Sequence, residues 1–377
     1  MNFLSSLNIF QRGLETHLFK KFLRNFIFCI TICVLIVFLA EFVELLRRTS
    51  ENPNITSIFY VIYLALLKIT ESIAFIIPIG FFVTTMWTCR SFNKHREMVI
   101  IQNTGLHSFR ILYPFIFFTI LFCSIYFVIL NPMFSHATNS YQKIEQEVFR
   151  GKLSKTSISK SGIWLRQGSE NNKIVIRSAN FIPEKSLFKD ATFFIFTKKN
   201  TFTERIDVES ARLEENFWIL KKATINKPNK KVVKIDEYTL KTNLSIKKIE
   251  DSFLDPQSLS IWKIPSFIKL LKESCFSATK HQIYLYKTIF LPLYLIGLIL
   301  IAGSFTIKFT KTNAKKYFLI LMGAVTGFLI HVLSETIYSL GIANKLPFWN
   351  VLVASIAPSF ITILIGGFLV IHFERTN

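Results

Sequence analysis

The sequence predicts a polytopic α-helical membrane protein with six transmembrane helices, three before and three after an inserted all-β, jelly-roll-like domain. Three observations carry that prediction. Hydrophobic residues make up 51% of the 377-residue chain and 40 are phenylalanine, more than one soluble core of this size needs. Apolar runs of membrane-crossing length cluster toward both ends of the chain. Between 160 and 245 the pattern changes from helical spacing to strict alternation.

The elements follow in order. Crossing ~30 Å of hydrocarbon takes about 20 helical residues, and runs that meet this occupy 22–46, 58–88, 109–131, 285–306, 316–340 and 348–373. The N-terminus carries Arg12, Lys20, Lys21 and Arg24 before an apolar run, as a signal peptide would. That run continues to Ala40 with no small-residue cleavage site, so an interfacial helix and a retained first span are expected. The second run is long, roughly 46 Å at 1.5 Å per residue, and its first turns are expected to stand proud of the bilayer or tilt. The third begins near Pro114 and is expected to stop at Asn131-Pro132.

Between the triplets, Gly162–Arg166, Lys173–Arg177, Ala191–Thr197, Arg205–Glu209, Phe217–Leu220 and Lys231–Ile235 are short, alternating and separated by turn-forming or charged residues. They read as an antiparallel sheet of six or more strands, a sandwich or jelly roll. The flanks 133–150 and 258–282 read as amphipathic helices. The expected division is therefore 1–131 for the N-terminal membrane half, with a cytoplasmic helix at about 90–104, 132–282 for the β domain and 283–377 for the C-terminal half.

Six crossings put both termini on one side. Arg12, Lys20, Lys21 and Arg24, then Arg90, Lys94, Arg96 and Arg110, then Lys308, Lys311, Lys315 and Lys316 mark that side as cytoplasmic. The opposite short loops hold only Arg47, Arg48 and Lys345. The β domain is then outside, and its many lysines do not count against this because long translocated domains escape the rule. The net charge of +21 comes from lysines spread over the whole chain. Without an aromatic platform or motif, it suits solvated surface and anionic lipid rather than nucleic acid.

Motifs for chemistry are missing. There is no GxxxxGK[ST], HExxH, CxxC or GxSxG, and the histidines at 17, 95, 107, 136, 281, 331 and 372 show no ligand spacing. No metal, nucleotide or other cofactor is expected in this chain, nor a disulfide framework from five cysteines of which four lie in or beside apolar spans. Any work requiring energy falls to another subunit. Ionisable residues inside the spans carry more meaning, because charge in hydrocarbon is costly and normally faces a cavity or partner. Lys68 and Glu71 share a face of the second span and could neutralise each other. Glu41 and Glu44 share a face near the outer end of the first, with Arg48 one turn on. His331 and Glu335 form an i,i+4 pair on the fifth. Each group reads either as a local ion pair snorkelling to the interface or as a polar lining for the charged head of an amphiphile. The 90–108 loop, led by Lys94, Arg96 and Glu97, reads as a short amphipathic helix ended by Gly105. It either lies on the membrane surface or offers a cytoplasmic motor a place to push.

The stretch Ile77-Pro-Ile-Gly80, Arg96-Glu-Met-Val99, Asn103-Thr-Gly105 and Tyr113-Pro114 resembles the LptF/LptG permeases of the lipopolysaccharide export ABC transporter. Glu44-Leu-Leu-Arg-Arg48, Ser161-Gly-Ile-Trp-Leu-Arg166, Leu259-Ser-Ile-Trp-Lys-Ile-Pro265 and Gly323 to Gly327 extend the similarity over nearly the full length. The first two of these lean toward the LptG branch. The resemblance implies a non-catalytic permease subunit in the bacterial inner membrane with a periplasmic jelly roll. It implies a sister permease, LptF or LptG, as heterodimer partner, and a dimeric cytoplasmic ATPase, LptB, that binds the ATP and magnesium. The periplasmic bridge proteins LptC and LptA, and lipopolysaccharide as substrate, complete the implied set. By this similarity Lys94, Arg96, Glu97 and Met98 match the helix that couples to the ATPase. The first and fifth spans match a lateral gate, the latter with Gly323, Gly327, His331 and Glu335. Glu41, Glu44, Arg47, Arg48, Lys68 and Glu71 are the expected lining. The two glutamates on the first span depart from what a phosphorylated lipid favours, leaving Arg47, Arg48 and Lys68 as the better contacts. Two other classes compete: a membrane-anchored scaffold or sensor binding a protein through the outer sheet, and a lipid-modifying enzyme, for which only His331 and Glu335 offer acid–base groups.

Overall fold

The computed structural model describes residues 2–50, 57–94, 97, 108–148, 163–168, 172–182, 187–197, 201–214, 217–228, 231–242, 254–273, 277–307, 313–343 and 351–375. The chain divides into two compact units, one formed by Met1–Asn139 with Gln282–Asn377 and the other by Ser140–His281.

The first unit is helical. Helix α1 (Asn2–Ser50) and helix α2 (Ile58–Lys94) are followed by α3 (Ser108–Ile125) and α4 (Asn131–Val148). After the β strands come α5 (Ile264–Glu273), which belongs to the second unit, α6 (Thr279–Ile289), which begins there and ends in the first, and then α7 (Leu291–Ile307), α8 (Asn313–Ile342) and α9 (Val351–Arg375). Among the described residues five helices are long and apolar enough to cross a membrane, and six spans result when α6 and α7, bent by 54° at Phe290, count as one. The expected interfacial helix at the N-terminus is not a separate element: α1 runs unbroken into the first span. Its Phe22 and Phe26 stack into a cluster with Phe81, Phe115 and Phe118 of α2 and α3. The many phenylalanines thus pack helix on helix, with edge-to-face and stacked rings.

The third span does not stop at Asn131-Pro132, as its proline suggested. Between α3 and α4 the chain makes a π-helical turn, Tyr126–Leu130, in which Asn131 N–H donates to the Tyr126 carbonyl, five residues back. The wider turn precedes Pro132, which then sits in the first turn of the next helix, where its missing N–H costs least.

In the second unit, β1 (Ile163–Gly168), β2 (Asn172–Ile182), β3 (Leu187–Thr197), β4 (Phe202–Glu214), β5 (Phe217–Asn226) and β6 (Val233–Lys241) form one antiparallel sheet in sequence order. An inserted antiparallel β domain was expected, and that is what the chain builds. Its described strands form a meander, whereas a jelly roll brings strands together by crossovers. Two layers nevertheless arise, because the sheet creases. On β3 the buried residues are Phe188 and then Ala191, Phe193 and Ile195; on β4 they are Ile206, Val208 and then Ala211 and Leu213; on β5 they are Trp218, Leu220 and then Ala223 and Ile225. Each strand slips its alternation by one residue at one level, since Lys189 pairs with Ser210 and Ser210 with Lys221. Two residues beside that line have positive φ, Asp190 at 49° and Lys222 at 52°. Phe193 pairs with Ile206 and Trp218 with Leu213. Along a flat strand those β4 positions lie about 23 Å apart. The Phe193 and Trp218 rings are 5.5 Å apart. The sheet therefore folds over on itself, and a single apolar core fills the fold.

Candidate functional site

Among the described residues of the helical unit, four groups of charged side chains include the residues the sequence singled out. At the end of α1, Glu44 receives hydrogen bonds from Arg48 Nε at 2.9 Å and Arg47 Nε at 3.2 Å. This is the local cluster that the spacing on the first span suggested.

One turn earlier, Glu41 does not join that cluster. It pairs across the helix interface with Lys68 of α2, and Ser72 Oγ donates to it at 3.4 Å. Lys68 shares a face of its own helix with Glu71, which the spacing offered as a possible counter-charge. The antiparallel packing of α1 on α2 brings Glu41 to that ammonium, and both side chains of this pair are mostly buried. Glu71 lies one turn along α2.

The expected His331–Glu335 pair is replaced. Lys287 of α6 donates to both oxygens of Glu335 at 2.7 and 2.9 Å, with its ammonium 4.7 Å above the Tyr338 ring. His331 Nδ1 lies 3.1 Å from the Tyr294 hydroxyl, and its ring packs 4.6 Å from Phe75. Its Nε2 is buried with no hydrogen-bond partner among the described residues. A carboxylate held bidentately by lysine, one turn from a histidine engaged with tyrosine, is a structural arrangement rather than an acid–base pair. Sequence reading missed Lys287 and Tyr294. Their signal was weak: a lone lysine at the edge of an apolar run and an unremarkable aromatic.

The fourth place is the loop after α2. Glu97 accepts from Lys21 Nζ at 2.8 Å and lies 3.3 Å from His17 Nε2, both on α1. Lys21 also sits 4.4 Å over the Phe92 ring. Burial pushes the Glu97 carboxyl up, but Lys21 and then His17 more than reverse this and hold it below the usual carboxylate range. Lys94 is exposed at the end of α2. Arg96 and Met98, with most of the expected loop helix, lie outside the described residues.

Gly323 and Gly327 of α8 mark a close helix contact. A Cβ on Gly327 would come within 2.2 Å of the Phe82 ring, and one on Gly323 within 2.9 Å of Phe305 and 3.1 Å of Met86. Small residues four apart let α8 approach α2 and α7. Beside this contact is an apolar crevice of about 340 Å³ with Arg90 and His331 among its lining residues. Among the described residues no group of three or more His, Cys, Asp or Glu is placed to hold a metal ion.

Residues 16–372 match the family model described as lipopolysaccharide export system permease LptF/LptG. No protein among the curated sequences matches the chain.

Proposed function

Because the chain belongs to the LptF/LptG family of lipopolysaccharide export permeases, we propose that it is the membrane subunit through which a separate ATPase drives lipopolysaccharide out of the inner membrane. The partners of that reading are a sister permease of the same family, a dimeric cytoplasmic ATPase and periplasmic bridge proteins. The loop charges support cytoplasmic termini and a periplasmic β domain. The need for energy is plain. Each acyl CH₂ withdrawn from lipid exposes surface worth about 0.8 kcal/mol, so several chains do not leave unaided.

The observation that carries the coupling is the tie between Glu97 and α1. Glu97 stands in the loop that matches the family's ATPase-coupling helix, and Lys21 and His17 fasten it to α1. That helix continues without a break to Glu41, which is paired with Lys68 of α2, and to Glu44. A push on the loop is delivered to α1 as a rigid rod, and α1 is the helix proposed to gate substrate entry with α8. Lys68, Arg47 and Arg48 are the cations on this route that suit lipid phosphate. The creased sheet is the proposed first acceptor of the lipid beyond the membrane.

The test is charge reversal. Glu97→Lys is expected to insert normally yet lose ATPase association or lipopolysaccharide transport. Pairing it with Lys21→Glu restores the internal bridge in reverse; transport should stay low if Glu97 itself meets the ATPase and return if its role is only to brace α1. Full transport by Glu97→Lys alone sinks the coupling assignment.

A further inference from the structure

The crevice between α2, α7 and α8 has no role in the scheme above. Along α2 its wall is Pro78, Phe82, Met86 and Arg90; across from them stand Ala324 and Phe328 of α8. The helices run antiparallel, as three contacts show. Phe75 meets His331, Phe82 meets Gly327, and Arg90 meets Tyr317. The crevice thus starts at Arg90 and ends at His331, with apolar walls between them. From Pro78 to Arg90 is about 18 Å of helix, close to the depth of one leaflet of a hydrocarbon core ~30 Å thick. Val83, Trp87 and Phe328, which line it, are among the exposed large side chains, so it opens sideways from the helix surface.

Its mouth carries a cation. The Arg90 guanidinium lies 5.2 Å from the Tyr317 ring centroid, and among the described residues no carboxylate pairs with it. A slot of leaflet depth, apolar along its length and ending in an arginine that no described carboxylate neutralises, beside a tryptophan, suits one kind of molecule. We propose that it holds one acyl chain of an anionic glycerophospholipid of the cytoplasmic leaflet, with the lipid phosphate on Arg90. The chain ends against Phe75 and His331, and the bound lipid fills the surface that α8 leaves open on α2. The choice of leaflet rests on the orientation proposed above; the slot, its length and its cation do not. Lipopolysaccharide is not the occupant, because on that orientation its phosphates lie at the opposite face.

The test uses the full-length protein in nanodiscs and vesicles, with a phosphatidylglycerol probe carrying a diazirine at the end of one acyl chain. Adducts are expected on 75–83 and 327–331, in excess over the exposed Leu121–Ile125 surface of α3. Arg90→Glu and the slot-filling Ala324→Trp should each lower slot labelling at least fivefold while leaving α3 labelling unchanged, and Arg90→Lys should retain much of it. Thermal unfolding checks that each variant is folded. Labelling of the slot no greater than of α3, or insensitive to both variants, overturns the proposal. Equal labelling by a phosphatidylcholine probe overturns the headgroup assignment, and displacement by lipopolysaccharide overturns the choice of lipid. In vesicles loaded from one leaflet, labelling only from the side opposite Lys94 overturns the proposal. Absence of slot labelling in the unmutated protein, with transport intact, overturns this proposal and leaves the transport reading standing.

Discussion

A carboxylate inside an apolar span is costly without a partner, and for two of them the partner comes from a neighbouring helix. Glu41 goes to Lys68 and Glu335 to Lys287. Glu335→Gln should therefore leave Lys287 uncompensated and cost about 1–2 kcal/mol in thermal or denaturant unfolding. That is below the figure for a fully buried pair, because both side chains keep nearly a third of their surface. The double variant Lys287→Met with Glu335→Leu should recover most of the loss, and a double variant no better than the single would contradict the pairing. The Glu97 bridge carries a pH signature. A carboxyl held low when folded adds stability that is present above its unfolded pKa and lost as pH falls through the lower folded value. A spin-label or crosslink distance between the His17 region and the 97 loop should stay short at neutral pH and lengthen only below the ordinary carboxylate range of about 4. Lengthening already near pH 6 would mean that the bridge does not depend on Glu97. That Glu41, Lys68 and Glu335 matter was legible in the sequence, from the cost of charge in hydrocarbon. The partners across helix interfaces were not, because spacing along one helix shows only neighbours on that helix.

At the scale of elements, two features depend on backbone geometry. The α8 glycines let that helix sit against Phe82, Phe305 and Met86, so Gly327→Ala should overpack the contact and cost about 1–3 kcal/mol. Phe82→Leu added to it should restore part of the stability; an undiminished melting temperature for Gly327→Ala alone would show that the contact is loose. In the sheet, the crease runs past Asp190 and Lys222, both in left-handed backbone. Asp190→Gly should be close to neutral, whereas Asp190→Val should cost about 1–2 kcal/mol, read by hydrogen exchange of the strand amides from 187 to 226. Equal effects of the two substitutions would contradict the crease geometry. The strands themselves were legible from alternation at 191–197, 205–209 and 217–220. The crease shows in the sequence only as a one-residue slip of that alternation, repeated on three strands, and its meaning appears once the register aligns the slips. The helix through Asn131-Pro132 was misread for a related reason: a proline reads as a stop unless the turn before it is known to be π.

For the whole molecule, the division into apolar helices and an alternating insert was open to hydropathy alone, because the bilayer and the pleat impose different periods on the chain. The long unbroken α1 was not, since the basic residues of its first turns looked like a separate surface helix. Its continuity lets one rod join the Glu97 bridge to the Glu41–Lys68 pair, and that rod is the core of the transport account. Photocrosslinking in native membranes tests it most directly, with probes at the exposed Leu39 and Val43 of α1, Leu329 and Leu333 of α8, and the half-buried Ile235 and Tyr238 that pack on the sheet core. The account expects lipopolysaccharide adducts on α1 and α8 in the resting complex, and on the β domain only when ATP is hydrolysed. No lipopolysaccharide at any of these positions, with a protein partner captured by the sheet whether or not ATP is present, would contradict it and leave a membrane-anchored scaffold.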